Sequence, residues 1–289
     1  MHHPGERHDT ARGRLIFVAA LSILPVMDAI AKLLSARLPV VEIIWARFVV
    51  YALAILPVAF LRLGRGALVP RNPGWQLLRG AATGLASAAF FMAVSRMPVA
   101  DAMAIFLVYP AILLCLARLF LGERPTPRQW LLVGCGFAGA LLVVKPSMHG
   151  MADGAGYALA CAALYAVSML MTRRLADERS PLVTTALSAL VGAVGFTGVV
   201  PAIWVWPDWT QAALLVAIGV IAAIGHYGIV AASRWARASE LAPLSYTEIA
   251  GAVAAGALMF HDLPDAATWA GIALIVGSGI QALRGGRRT

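Results

Sequence analysis

The sequence predicts an all-α membrane protein: ten transmembrane helices forming two inverted five-helix repeats around a central cavity. Three observations carry this. First, the chain is 61% apolar and only 13% charged, against about 25% charged residues in a typical soluble domain. A soluble fold of this make-up would expose enough apolar surface to aggregate. Second, the apolar residues fall in runs that match a bilayer core of about 30 Å, which takes about 20 helical residues to cross. Third, the second half of the chain repeats the pattern of the first.

The runs lie near 14–34, 40–61, 75–95, 99–119, 128–146, 154–172, 182–205, 210–232, 240–260 and 265–283. They are continuously apolar, which excludes the alternating pattern of a membrane β-barrel. A helix also satisfies its own backbone hydrogen bonds in lipid. The first run follows the basic stretch Arg7–Arg14 but has no convincing cleavage site, so it reads as a retained helix and not as a signal peptide.

Orientation follows from lysine and arginine. With the N-terminus taken as cytoplasmic, 18 of the 23 basic residues fall on that side. They cluster as Arg7, Arg12 and Arg14; Arg62, Arg65, Arg71 and Arg79; Arg118, Arg124 and Arg128; Arg173, Arg174 and Arg179; Arg234 and Arg237; and Arg284, Arg287 and Arg288. Lys32, Arg37, Arg96 and Lys145 fall opposite, and Arg47 lies within a span. The split predicts both termini in the cytoplasm of a bacterial inner membrane.

An offset of 139 residues aligns Gly80 with Gly219, Asp101 with Glu240, Glu123 with Asp262, Pro125 with Pro264 and Trp130 with Trp269. An offset of 142 aligns Lys32 with Arg174 and Pro39 with Pro181. The expected organisation is a tail over 1–13, a first unit over 14–148, a second over 151–284 and a tail over 285–289. Five spans per unit turn the second copy upside down. Inverted repeats are a signature of secondary transporters, whose substrate sites lie at the midplane between the halves.

The segment Leu119-Phe-Leu-Gly-Glu-Arg-Pro-Thr-Pro-Arg-Gln-Trp130 combines a leucine-rich helix end, Gly-Glu, a short loop and a Trp ahead of a glycine-rich helix. With Ala46-Arg47-Phe48 and Tyr109-Pro110, and with the doubled five-helix unit, it resembles the drug/metabolite transporter superfamily. The similarity is to the ten-helix EamA-type branch, with aromatic amino acid exporters as one candidate sub-branch. The second copy departs from the pattern, reading His261-Asp262 where the family often has Gly or a hydrophobe before Glu. The resemblance implies a secondary transporter with an internal cavity and leaves the cargo open among amino acids, other metabolites, cationic drugs and phosphorylated sugars.

Charges inside a membrane cost roughly 2.5–3.5 kcal/mol each on insertion scales, so each calls for a reason. Asp28 and Arg47 lie at similar depths on adjacent antiparallel spans. They are expected to pair, either locking two helices or holding the ends of a zwitterion. Lys32 and Glu42 sit near the outer boundary and read as snorkelling and solvated. His226 and Glu248 also share a depth, and a carboxylate beside an imidazole in a dry site exchanges protons near neutral pH. That makes proton coupling one reading and a satisfied buried pair the other. The repeat matches Tyr109 with Glu248, which places the expected cavity where the fourth and ninth spans cross. Phe90, Phe91, Tyr165, Tyr227 and Tyr246 are candidates for an aromatic lining, or for ordinary packing. Pro25, Pro110 and Pro243 are the expected kinks.

Glycines at Gly80, Gly84, Gly134, Gly136, Gly139, Gly271, Gly277 and Gly279 predict close helix approach. Trp75, Trp130, Trp206, Trp209 and Trp269 predict interfacial anchors. Cys115, Cys135 and Cys161 read as small buried hydrophobes without metal-ligand spacing. No cofactor, metal or nucleic-acid partner is called for, only a small-molecule substrate and membrane lipid, and no feature fixes an oligomeric state. There is no P-loop, no G-x-S-x-G and no H-E-x-x-H. An intramembrane enzyme is thus the remote reading. Amino acid export comes first, with the aromatics pointing toward aromatic or bulky apolar ones. A multidrug or quaternary-cation exporter is the alternative.

Overall fold

The computed structural model describes residues 6–64, 69–94, 96, 99–144, 151–178, 180–260 and 265–284. Among these it has no strand. Among the described residues twelve α-helices form ten segments. The first three are α1 (Glu6–Ser35), α2 (Val40–Leu63) and α3 (Pro73–Val94). The fourth is broken into α4 (Val99–Phe106) and α5 (Tyr109–Phe120), and α6 (Pro127–Val144) completes the first half. The second half has α7 (Met151–Arg174), α8 (Pro181–Thr197) and α9 (Trp209–Ala232). Its ninth segment joins α10 (Ala238–Leu241), a 3-10 turn over Ala242–Leu244 and α11 (Thr247–Phe260), and α12 (Ala266–Arg284) ends the bundle.

Six described stretches are long and apolar enough to cross a membrane: Thr10–Ser35, Val40–Leu63, Ala102–Phe120, Pro127–Val144, Gly154–Arg174 and Trp209–Ala232. Pro181–Thr197 and Ala266–Ala282 are shorter apolar helices. Helix α3 has the length, at 22 residues, but carries buried Gln76 and Arg79. The chain is a multi-pass membrane protein. Two boundaries differ from expectation. Helix α1 begins at Glu6, because its first turns are polar and project beyond the apolar run. The seventh span stops at Thr197, where Pro201 and Pro207 leave only a short 3-10 turn before α9.

The halves interlock. Helix α1 packs on α9 and α11, and the matching helix α7 packs on α3 and on α4–α5. Helix α2 meets α9 as α8 meets α3, while α2–α8 and α6–α12 pair as equivalents. Two glycines show the correspondence in atoms. A Cβ on Gly80 of α3 would sit 2.8 Å from Val191 Cβ of α8. Its repeat mate Gly219 of α9 is crowded even more closely by Val50 of α2, and Val191 lies one residue from the position matching Val50. Gly139 and Gly271 each face the other's carbonyl oxygen, which brings α6 and α12 into backbone contact. Gly134 and Gly277 face open space instead. Trp75, Trp130, Trp206, Trp209 and Trp269 are all exposed, as anchors require. Cys161 is buried, but Cys115 is exposed and Cys135 half-buried, because the apolar runs that hold them also have a lipid face.

At the arginine-rich end the halves are tied together. Arg14 is buried, pairs with Glu240 at 3.1 Å and donates to the Ala282 carbonyl. Glu123 accepts from the N–H groups of Ala238 and Ser239, which start α10, and lies 3.7 Å from Arg173. Glu123 reaches them because Gly122 turns the chain with φ +65° and the Glu123 N–H folds back to the Ala117 carbonyl. A left-handed residue with a Cβ costs roughly 1–2 kcal/mol. Gly122→Ala should therefore lower the midpoint of a detergent-solubilised melt, although its Cβ would meet nothing within 4 Å. An unchanged midpoint would show that the turn relaxes freely.

Candidate substrate site in the bundle core

Both broken spans follow from sequence. Pro110 has no N–H, and the Ala111 N–H bonds back to the Val108 carbonyl instead of Leu107. The Leu107 carbonyl is thereby freed in the core. Tyr246, in the break of the ninth span, fills it: its hydroxyl donates to Leu107 O at 3.0 Å, across an offset of 139 residues. The two breaks are thus bonded to each other at matching repeat positions. The flat side of Gly136 receives the Tyr246 ring. Pro243 lies in the 3-10 turn of that break, where Thr247 and Ser245 hydroxyls bond back to the Leu244 and Leu241 carbonyls. Pro25, by contrast, lies inside a continuous α1. Tyr246→Phe would leave the buried Leu107 carbonyl unpaired, at about 1–3 kcal/mol. It should lower both thermal stability and transport rate; wild-type values for both would mean that the bond carries no function.

The breaks start α5 at Tyr109 and α11 at Thr247, with Glu248 in its first turn. Tyr109 and Glu248, repeat mates, therefore sit at corresponding helix starts. Tyr109 meets Tyr165 of α7 edge-on at 4.9 Å, and Phe106 stacks against both. Phe90 and Phe91 extend this wall through Phe106. Of the expected aromatic lining, Tyr246 is buried in its carbonyl bond and Tyr227 is exposed.

Neither expected ion pair forms. Arg47 donates to Ser87 of α3 at 2.9 Å and lies over the Phe48 ring, not against Asp28. Asp28 is solvent-accessible. His226 stacks on Tyr51 of α2 at 5.7 Å and not against Glu248. Equal depth fixed neither pair, because it leaves the rotation of each helix about its axis free. Glu42 is fully buried instead of solvated, since the segment after α8 folds over it and Val205 N–H donates to its carboxylate. The side chain of Lys32, with His149, His261 and Asp262, lies outside the described residues.

Arg79 is the functional residue that loop-by-loop charge counting hides. It is 2% exposed. Its Nε donates to Thr172 of α7 at 2.7 Å and its Nη1 to Ser188 of α8. Its Nη2 has no protein partner among the described residues, and neither Nε nor Nη1 of Arg47 has one. Helix α3 joins the two arginines by hydroxyls. Thr83 bonds back to the Arg79 carbonyl and to Ser168, and Ser87 bonds back to the Thr83 carbonyl. The eight residue steps from Arg79 to Ser87 span about 12 Å along the helix. Arg79 and Ser87, the partner of Arg47, therefore stand at two depths along α3. Asp28 and Glu248 lie on α1 and α11, which pack against each other.

The core thus holds two guanidiniums and two carboxylates, with no ion pair among them within the described residues. A buried unpaired charge costs free energy, and a ligand that satisfies it recovers that cost. Ten segments, two of them broken and joined at their breaks, with ionisable groups between the halves, are the make-up of a solute transporter. The model of the EamA-like transporter family matches twice, over residues 12–145 and 153–280, and the chain belongs to this family. It is 30% identical to the pseudopaline exporter CntI of Pseudomonas aeruginosa over 269 residues, covering 91% of this chain and 93% of that one. It is 29% identical to a riboflavin transporter of Rhizobium johnstonii, covering 77% and 74%. It is 25% identical to an S-adenosylmethionine uptake transporter of Rickettsia felis, covering 90% and 88%. These relatives are transporters and not enzymes. A solved crystal structure, 23% identical, shares the fold with a TM-score of 0.80 over 96% of this chain and 98% of its own.

Proposed function

We propose that the chain exports a small zwitterionic metabolite of the amino acid type, held between the repeats and released by alternating access. The observation that carries this is the set of two guanidiniums and two carboxyl groups, with no ion pair among them within the described residues, in a bundle that also holds the Phe106, Tyr109 and Tyr165 cluster. Arg47 and Arg79 take the carboxylate, and Asp28 and Glu248 take the ammonium. Phe90, Phe91, Phe106, Tyr109 and Tyr165 favour an apolar or aromatic side chain. A relative named as an exporter supports the direction. The arginine-rich end is the cytoplasmic one, with both termini there in a bacterial inner membrane. Its ties through Arg14–Glu240 and Glu123–Arg173 then make the closed gate of this state cytoplasmic.

The second reading is a quaternary-cation exporter, favoured by the acid pair beside an aromatic wall. Counterflow in proteoliposomes separates the two, using amino acids and tetraalkylammonium ions with and without a pH gradient. Amino acid exchange without ammonium exchange supports the first reading, and the reverse pattern overturns it. Stimulation by a proton gradient that vanishes in Glu248→Gln supports proton coupling through that carboxylate, and stimulation that persists removes it.

A further inference from the structure

We infer that the arginine-rich end carries a second site, separate from the core, that binds the phosphate of an anionic phospholipid headgroup. A cavity of about 580 Å³ opens there between the end of α5, the end of α7 and the start of α10. Four arginines line it, Arg124, Arg173, Arg174 and Arg237, against two acids, Glu123 and Asp177. Glu123 is already committed, to two backbone N–H groups and to Arg173. Arg173 also donates to the Ser233 carbonyl, and Arg174 donates to the Phe120 carbonyl while lying over the Trp75 ring at 4.9 Å. Arg124 and Arg237 are exposed, and their guanidiniums make no described hydrogen bond or ion pair. The cavity therefore keeps a surplus of positive charge with two free guanidiniums, the chemistry that takes a phosphate.

The surroundings select a lipid as its source. Leu119 is 74% exposed, Phe120 60% and Trp75 40%, all beside the basic rim. Acyl chains cover that apolar surface while the headgroup enters the cavity. Basic pockets between spans on the cytoplasmic side are suited to such headgroups. The lining joins α5 and α7 to α10, the elements that Glu123 ties together, so a bound headgroup braces the closed gate.

The test is native mass spectrometry of the full-length protein in detergent, with phosphatidylglycerol and phosphatidylcholine offered separately. Wild-type protein should retain phosphatidylglycerol selectively. Arg124→Gln/Arg237→Gln should lower that retention about tenfold. The control Arg62→Gln/Arg118→Gln removes the same charge from exposed positions at the same end, outside the cavity, and should retain the lipid. Equal loss in both double variants, or equal retention of phosphatidylcholine, overturns the site. Displacement of the lipid by millimolar inorganic phosphate would keep the phosphate site and reassign its source. A thermal shift on adding phosphatidylglycerol, present in wild type and absent in the cavity variant, reports the same binding and confirms that the variant is folded. Core-site transport enters neither readout, so the outcome is separate from the zwitterion reading.

Discussion

Replacing Arg79 by methionine should all but abolish transport of carboxylate-bearing solutes while leaving the protein as stable as wild type. The two effects divide because the guanidinium is buried without a carboxylate partner. Its protein bonds are to the hydroxyl oxygens of Thr172 and Ser188, which accept from it, and both hydroxyls keep donating their own protons to backbone carbonyls one turn back when it is removed. Swapping a buried charge for an apolar residue of similar volume is often neutral or stabilising. A carboxylate that loses a buried charged partner forfeits roughly 2–5 kcal/mol, about 30- to 3,000-fold in affinity. Uptake kinetics and a thermal melt on the same preparation decide the matter. A large drop in stability with transport intact per folded molecule would make Arg79 a structural residue.

Neutralising Asp28 should change which solute is preferred. Wild-type protein balances two guanidiniums against two carboxylates in the core. Asp28→Asn leaves two cations against Glu248 alone. Transport of a zwitterion should then fall by about tenfold or more, while transport of the corresponding acid without its amine rises relative to it. The change in preference is informative because a general loss of folding lowers both solutes together. Glu248→Gln should act in the same direction. Its carboxyl group lies in the first turn of α11, so its replacement removes the second acid from the core. A uniform loss for both solutes in both variants would remove the acids from substrate recognition.

Ten spans and the pairing of Tyr109 with Glu248 were legible in the sequence, because span length, arginine placement and repeat offset are one-dimensional properties. The breaks are legible at Pro110 and Pro243, whereas Pro25, read as a kink by the same rule, lies inside an unbroken helix. Partners were harder. Asp28 with Arg47 and His226 with Glu248 were matched by depth, but each residue step turns a helix by about 100°, and depth says nothing of that angle. Glu42 looked solvated because its burial depends on a segment 163 residues away. Arg79 was counted with the loop arginines, four residues after the Trp75 anchor. A signal was nonetheless present: Gln76, Arg79, Thr83 and Ser87 recur at helical spacing in an otherwise apolar run, a polar stripe that lipid does not tolerate.

The most direct measurement is binding of three related solutes to purified wild-type protein: an amino acid, its methyl ester and its deaminated acid. Opposed charges in the core require both ends of the ligand, so the amino acid should bind at least tenfold more tightly than either analogue. Ester binding equal to that of the parent amino acid would show that the guanidiniums recognise nothing, and the zwitterion reading would be wrong.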